Sequence, residues 1–371
     1  MWLDPAIQKT LSLLLLIGIG ILLKRKVHSK EALGGVKMLI LSIALPATIF
    51  VALLKIEVQS HLLFLPILAL AFNLIMLFIA YKGLGILGIQ KGSPAFRTWM
   101  MLLPSLAPGL SCFPFLAEYM GDESLALAAL ADVGNKVFVL ILLYLLAMHW
   151  YYQKKEHKSK GENKLRSLSL ALIREPVNLV ILLALILLLS GYGLKDLPQF
   201  LQQSVSSMSA MMTPMILIFI GMAVKIKWQQ FRKILQLLFL RSAFAFILSA
   251  LALIFFPPLS PLYAIVLVVF PQSACSFWPF AHMAAVNKMG EQDGKETFDL
   301  DLGLGILAFS LPFSTILILA ICSMGTIFMS PTALLLSAGA LFTFAIIPAL
   351  LPKLSGSRKA LSRSIEEVKT G

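Results

Sequence analysis

Long apolar segments alternate with short polar loops along the whole chain. A membrane-spanning helix needs about 20 mostly apolar residues. Eleven segments meet that requirement, and they predict transmembrane helices near residues 5–23, 35–54, 62–82, 96–119, 124–148, 174–191, 204–224, 233–256, 262–286, 299–322 and 331–352. The pattern therefore predicts an all-α polytopic membrane protein.

The composition excludes a soluble globular protein. Hydrophobic residues make up 59% of the chain and charged residues 13%, against about 25% charged residues in soluble domains. The net charge of +13 does not indicate a nucleic-acid partner, because the basic residues lie in short loops between apolar segments. The expected surroundings are a lipid bilayer. The three cysteines lie inside apolar segments without metal-ligand spacing, so neither a metal site nor a cofactor is predicted.

The distribution of Lys and Arg predicts the orientation. With the N-terminus outside, the cytoplasmic loops and the C-terminal tail hold 26 basic residues, and the external segments hold three, Lys9, Lys55 and Lys195. Cytoplasmic loops of membrane proteins are enriched in Lys and Arg. We therefore expect the N-terminus outside and the C-terminus inside.

Two halves of the chain share sequence features in the same order. Residues 111–115 (Ser-Cys-Phe-Pro-Phe) match residues 276–280 (Ser-Phe-Trp-Pro-Phe), and the apolar run after Pro46 matches the run after Pro214. Helices 1–5 therefore pair with helices 6–10. Because five is odd, the halves have opposite orientations, and inverted repeats are typical of secondary transporters. A duplicated bundle without transport is the alternative.

This pairing predicts four regions in the chain. They are a first repeat at 1–153, a basic cytoplasmic loop at 154–173, a second repeat at 174–325, and an eleventh helix with a basic tail at 326–371.

Clustered prolines predict that helices four and nine are broken. A proline removes an amide donor and clashes with the preceding turn. The helix after each break would present free N–H groups and a positive dipole end, which suit an anion. The residues predicted to bind substrate there are Ser105, Pro108, Gly109, Ser111, Pro114, Gln272, Ser273, Ser276 and Pro279. Bulky neighbours, Phe113, Phe277 and Trp278, would surround its organic part. Two simple proline kinks are the alternative.

Ionisable residues inside the predicted helices form a second group of candidates, because a charge inside the bilayer is costly. Asp132 and Lys136 are four residues apart and share one helix face, with Asn135 beside them. They are predicted to couple transport to H⁺ or Na⁺, and a self-neutralised structural pair is the alternative. His282 and Asp301 are further coupling candidates, although Asp301 could simply be a carboxylate at a helix start.

Arg241 lies well inside predicted helix eight. Its guanidinium group is predicted to bind a carboxylate of the substrate, or to pair with Asp132 or Asp301. The alternative is a side chain that snorkels to the membrane surface.

Several of these features together resemble the auxin efflux carrier family of permeases, within the bile acid/sodium symporter-like group. They are the loop at residues 23–26 (Leu-Lys-Arg-Lys), the run at residues 45–50 (Leu-Pro-Ala-Thr-Ile-Phe), and the proline-broken helices four and nine. The resemblance implies two inverted sets of five helices, with broken helices that cross at the substrate site. It also implies a scaffold of helices 1, 2, 6 and 7, and a moving transport domain.

The resemblance further implies an organic anion as substrate, such as a dicarboxylate in bacteria or auxin in plants. The short central loop, 149–173, is similar to that of bacterial members, so we expect a bacterial inner membrane. The chain departs from the family in its eleventh helix and in having Pro108-Gly109-Leu110-Ser111 where an asparagine and glycine pattern is expected.

The sequence therefore predicts a secondary transporter of a small organic anion. A channel or receptor and an integral membrane enzyme are the alternatives. The chain has no nucleophile elbow and no H-E-x-x-H motif. It also lacks a Walker motif, which argues against direct use of ATP. The sequence permits a homodimer.

Overall fold

The computed structural model describes residues 5–26, 29–55, 64–154, 176–223, 231–255, 260–289 and 296–346. Helices joined by short loops make up these residues, and no strand occurs among them.

The helices of the first half lie between residues 5 and 154. They are α1 (Pro5–Leu23), α2 (Lys30–Leu39), α3 (Leu45–Leu53), α4 (Phe64–Ile86), α5 (Pro94–Leu102), α6 (Pro108–Ser111), α7 (Phe113–Met120), α8 (Asp122–Val137) and α9 (Leu143–Lys154). Two π-helical turns, Ile40–Ala44 and Phe138–Leu142, join α2 to α3 and α8 to α9.

The helices of the second half lie between residues 176 and 346. They are α10 (Pro176–Leu189), α11 (Gln199–Ala210), α12 (Met212–Ala223), α13 (Phe231–Phe255), α14 (Pro261–Val269), α15 (Phe277–Met289), α16 (Leu300–Met324) and α17 (Pro331–Ile346). A 3₁₀ turn, Phe270–Gln272, follows α14.

Seven helices among the described residues are long and apolar enough to cross a membrane. These are Glu31–Leu53, Phe64–Ile86, Asp122–Gln153, Gln199–Met222, Phe231–Phe255, Pro261–Met289 and Leu300–Met329. Three shorter apolar helices are Leu11–Leu23, Leu179–Leu188 and Pro331–Ile346. Predicted helix four is divided among α5, α6 and α7. The prediction of an all-α polytopic membrane protein is confirmed for the described residues, while the number of crossings stays a prediction.

Predicted helix two begins earlier than the hydrophobic pattern indicated. The hydroxyl oxygen of Ser29 accepts a hydrogen bond from the Ala32 amide at 3.0 Å, and Glu31 lies in the first turn. Both features favour a helix start. Lys37 therefore lies seven residues after the helix start at Lys30, rather than two residues after the predicted start at residue 35.

Two glycines allow α1, the first predicted helix, to pack closely against α12. Gly20 of α1 and Gly221 of α12 face each other, and a Cβ atom on either would overlap a backbone carbonyl, that of Ile218 or of Ile17. This approach brings the two helices into extensive contact along their lengths.

The interior contains two apolar cores, and the interrupted segments lie where these cores meet. Leu106 and Phe270 belong to one core, whereas Leu103 and Cys275 belong to the other. Polar backbone is thus held in the middle of an apolar bundle, where each N–H and C=O group needs a partner inside the protein.

Candidate functional site

Two helices are interrupted in the interior of the bundle. The helix that starts at Pro94 ends at Leu102, and a helix resumes only at Pro108. The helix that starts at Pro261 continues through the 3₁₀ turn and resumes at Phe277. We call residues 103–107 the first break and residues 273–276 the second break. The helices are interrupted rather than kinked, and the residues of both breaks are buried or half-buried.

The two breaks contact each other through hydrogen bonds. The Ala107 amide donates to the Ala274 carbonyl at 2.8 Å. The Ala274 amide donates in turn to the Ser111 hydroxyl at 2.9 Å, and the Ser276 amide donates to the Ser105 hydroxyl at 3.0 Å. The sequence-predicted serines therefore connect one break to the other.

Ser105 and Ser273 end their helices in the same way. The Ser105 hydroxyl donates to the Leu102 carbonyl at 2.7 Å, and the Ser273 hydroxyl donates to the Phe270 carbonyl at 2.6 Å. The backbone amide of each serine also donates to that same carbonyl, at 3.2 and 3.1 Å. A serine that binds its own preceding turn offers the backbone an alternative to continuing the helix.

Arg241 reaches from α13 to both breaks. Its Nε donates to the Leu103 carbonyl at 2.8 Å, and its Nη2 donates to the carbonyls of Ser105 at 3.2 Å and Ser273 at 2.8 Å. These carbonyls follow helix C-terminal ends, where a positive charge is favourable. The side chain is 3% exposed, so it does not snorkel to the surface. Its Nη1 is buried without a hydrogen-bond partner among the described residues.

A polar cluster on α8 contacts the first break. The Asn135 side-chain amide donates to the Leu106 carbonyl at 3.0 Å and to Asp132 Oδ1 at 2.8 Å. Lys136 Nζ lies 3.6 Å from Asp132 Oδ2. Asn73 of α4 donates to Asn135 Oδ1 at 3.0 Å. The structure therefore brings the three predicted residues of predicted helix five together beside the break.

Two polar residues of this region were not among the predicted site residues. Asn73 completes the cluster on α8, and its Oδ1 is buried without a hydrogen-bond partner in the described part of the chain. Ser310 of α16 accepts a hydrogen bond from the Cys275 amide at 3.3 Å. The available signal for Asn73 was its position, 168 residues before Arg241, the spacing that also separates Pro46 from Pro214.

Four backbone amides of the breaks are already engaged inside the protein. Those of Ala107, Ala274, Cys275 and Ser276 all donate to protein oxygens. An anion at the breaks therefore depends on other donors in this conformation, and the donors suggested by the sequence are the N–H groups of the helices that follow the breaks. The Gln272 side chain donates to the Ser242 carbonyl at 3.1 Å, and its Oε1 is buried and unpartnered among the described residues.

The predicted prolines begin the helices that follow the breaks. Pro108 is the first residue of α6, and Pro114 and Pro279 lie buried in the first turns of α7 and α15. Gly109 faces α3, where the Leu45 side chain lies 2.8 Å from the position that a Cβ atom would take. The prolines thus mark where each helix restarts.

The aromatic neighbours divide into a buried and an exposed group. Phe113 is fully buried, whereas Phe277 and Trp278 are 48% and 43% exposed. Ring surface at the start of α15 therefore lies outside the packed interior, whereas that of Phe113 lies inside it.

The other two coupling candidates lie apart from the polar cluster. His282 Nε2 lies 3.1 Å from the Val139 carbonyl, and its ring packs edge-on against Tyr144 at 5.3 Å between ring centroids. Asp301 is exposed in the first turn of α16. Its neighbour Asp299 caps that helix by accepting a hydrogen bond from the Leu302 amide at 2.9 Å.

An apolar cavity of about 260 Å³ lies beside the 3₁₀ turn that precedes the second break. Side chains of α4, α13 and α14 line it, and Phe270 and Pro271 form its end nearest the second break. Because this lining is almost entirely apolar, the cavity does not suit a charged group.

The helical fold and its apolar spans define a multi-pass membrane protein. The chain is similar to an uncharacterized transporter of Methanocaldococcus jannaschii, with 26% identity over 200 residues. The aligned region covers 52% of this chain and 60% of that protein, less than two thirds of its length. No family model matches the chain. The fold and this similarity are consistent with a transporter.

Proposed function

We propose that the chain is a secondary active transporter that moves a small organic anion across the membrane by alternating access. The observation that supports this best is the hydrogen bond between the Ala107 amide and the Ala274 carbonyl at 2.8 Å. Interrupted backbone at membrane depth is tolerated only where protein or a water-filled cavity satisfies it. Two interrupted helices that meet in this way are typical of transporter substrate sites.

The arrangement of the breaks also supports an inverted repeat of helices 1–5 and 6–10. Three pairs share one spacing of 168 residues: Pro46 with Pro214, Asn73 with Arg241, and Ser105 with Ser273. The two serines make the same local hydrogen bonds. Arg241 binds the breaks directly, and Asn73 does so through Asn135. In this proposal the repeats are 1–153 and 174–325, the N-terminus is outside, and helix eleven is an addition.

The anion is proposed to bind beside the crossing, near the serines of the two breaks and the first turn of α15. Arg241 supplies positive charge there, and its buried Nη1 is unpartnered among the described residues. A low-dielectric interior strengthens attraction between this charge and a carboxylate. The exposed rings of Phe277 and Trp278 would contact the organic part.

The cluster of Asp132, Asn135 and Lys136 is proposed as the coupling site for H⁺ or Na⁺. The Asp132 carboxylate can bind either ion, an amide oxygen can help to ligate Na⁺, and Asn135 connects the cluster to the first break through the Leu106 carbonyl. A cation on Asp132 would compete with Lys136 for its carboxylate. Ion binding to the cluster would thereby affect the substrate site through the hydrogen bond between Asn135 and the Leu106 carbonyl.

Transport assays in proteoliposomes test the proposal. A panel of labelled mono- and dicarboxylic acids is offered with a proton gradient, a sodium gradient or neither, and protein-free liposomes serve as the control. We expect saturable accumulation of at least one acid that collapses when one gradient is dissipated. Flux that never exceeds equilibrium under any gradient would indicate a channel, and chemical conversion of the acid would indicate an enzyme.

A further inference from the structure

A lysine from another helix lies over an aromatic ring at the start of α15. Lys37 Nζ is 4.0 Å from the centroid of the Phe277 ring. Lys37 is half-buried within the apolar segment Glu31–Leu53, and Phe277 is the first residue after the second break. The contact therefore places a positive charge beside the proposed substrate site.

The helix that contains Lys37 lies alongside both interrupted helices. Leu45 contacts the region of Gly109 just after the first break, eight residues after Lys37 contacts Phe277. Eight residues of α-helix turn by about 800°, which is roughly 80° beyond two full turns. The wider π-helical turn Ile40–Ala44 reduces this difference. One face of the helix can therefore reach both breaks.

The Lys37 ammonium group has no carboxylate within ion-pairing distance in the part of the chain that the structure describes. A charge in a membrane segment is costly and is a functional hypothesis by default. The face of an aromatic ring replaces only part of the lost hydration, because its attraction for a cation is weaker than that of an anion. A carboxylate would be the stronger partner.

The surroundings of Lys37 define the chemistry of the ligand. Phe277 and Trp278 leave 48% and 43% of their surface exposed beside the ammonium group. A positive charge next to exposed ring surface suits an anion with an apolar or aromatic body. The positive end of the 13-residue helix α15 lies at the same place and adds to the attraction.

We propose that Lys37 is a specificity-determining residue that binds the carboxylate of the transported anion at the start of α15. On binding, the ammonium group exchanges the Phe277 ring for the carboxylate, and the rings of Phe277 and Trp278 contact the apolar part. This inference rests on the proposed function, and it adds the residue that selects a carboxylate over a neutral analogue.

Kinetics of uptake test the proposal once the panel has identified a transported acid. Lys37→Met keeps most of the apolar stem and removes the charge. We expect the half-saturation concentration to rise about 10-fold to 100-fold, as for loss of a charged hydrogen bond, with a smaller change in maximal rate. Lys37→Arg should retain most of the affinity. Lys288→Met is the matched control, because Lys288 is an exposed lysine at the other end of α15.

A second comparison separates recognition from a purely structural contact. Wild-type protein should prefer the transported acid to its neutral amide, and Lys37→Met should lose most of that preference. Phe277→Leu removes the ring contact but leaves the ammonium group, so it should keep the preference. If Phe277→Leu abolishes the preference as fully as Lys37→Met, then the contact only joins two helices and the proposal is wrong.

Chemical labelling of the wild-type protein tests the proposal without depending on whether a variant folds. The transported acid should slow the reaction of Lys37 with an amine-reactive reagent, read by peptide mass spectrometry, and leave Lys288 unaffected. Equal labelling of Lys37 with and without the acid, or an unchanged half-saturation concentration in Lys37→Met, would overturn this inference while transport stands. Absence of uptake of every acid by wild-type protein would instead overturn the proposed function, and this inference with it.

Discussion

The hydroxyl group of Ser105 accepts a hydrogen bond from the backbone amide of Ser276 at 3.0 Å, across 171 positions of sequence. The same hydroxyl donates to the Leu102 carbonyl at 2.7 Å. One small side chain thus ends the first interrupted helix and binds the backbone of the second. The two breaks consequently form one connected unit.

Ser105→Ala should weaken this unit. The substitution leaves the buried Ser276 amide unpaired, at a cost of about 1–3 kcal/mol. We expect a lower thermal midpoint in detergent and slower transport. Ser190→Ala is the control, because the Ser190 hydroxyl bonds the Ile186 carbonyl at 2.9 Å but is exposed. Equal effects of the two substitutions would contradict a special role for Ser105.

Transport should require the planar guanidinium group of Arg241. Arg241→Lys keeps the charge but loses the fork that reaches the carbonyls of Leu103, Ser105 and Ser273. We expect slower transport with moderate loss of stability, and a larger loss for Arg241→Gln. The control Lys233→Gln lies on the same helix and loses one bond, that to the Leu87 carbonyl. Normal transport by both Arg241 variants would show that these three bonds are dispensable.

Asp132 and Lys136 should behave as a coupled pair. Asp132→Asn removes the carboxylate that lies 3.6 Å from the buried Lys136 ammonium group, and loss of one partner of a buried ion pair typically costs about 3–5 kcal/mol. Adding Lys136→Met to it should recover stability, while the dependence of transport on an ion gradient stays lost. Thermal unfolding and gradient-driven uptake of the two single variants and the double variant measure the coupling. Strictly additive losses of stability would argue against a pair.

Gly20→Ala should disrupt the contact between α1 and α12, because the added Cβ overlaps the Ile218 carbonyl. Gly18 of the same helix has open space around its Cβ position. Gly18→Ala should therefore be neutral, or slightly stabilising through helix propensity. The fraction of monodisperse protein after extraction compares the two variants. Loss of folded protein in both, or in neither, would contradict this packing.

The orientation is tested with reporter fusions. Fusions after Lys164 and Lys369, both outside the described residues, should report the cytoplasm, because the loops that contain them are basic. A fusion at Lys195 should report the outside. An external signal at Lys164 or Lys369 would contradict both the orientation and the eleven-helix count.

Local features of the sequence located the apolar helices and indicated which two of them are interrupted, whereas the exact break points came from the structure. Apolar length predicts a membrane helix because the bilayer imposes it. Pro104, Pro108 and Pro271 interrupt a helix by local chemistry, since each lacks an amide donor. The structure accordingly has its breaks at 103–107 and 273–276, close to these prolines.

The connections between the halves needed the tertiary structure. The sequence singled out Arg241 and suggested a carboxylate partner, whereas the fold provides three backbone carbonyls. Asn73 contacts Asn135, and Lys37 contacts Phe277, because helices that are distant in sequence lie beside each other. Similarly, the π-helical turn Ile40–Ala44 has no proline or glycine inside it. A short apolar segment determines that a helix forms. The side chains that pack against this helix come from segments about 170 residues away in the chain. No local pattern of hydrophobicity encodes those contacts.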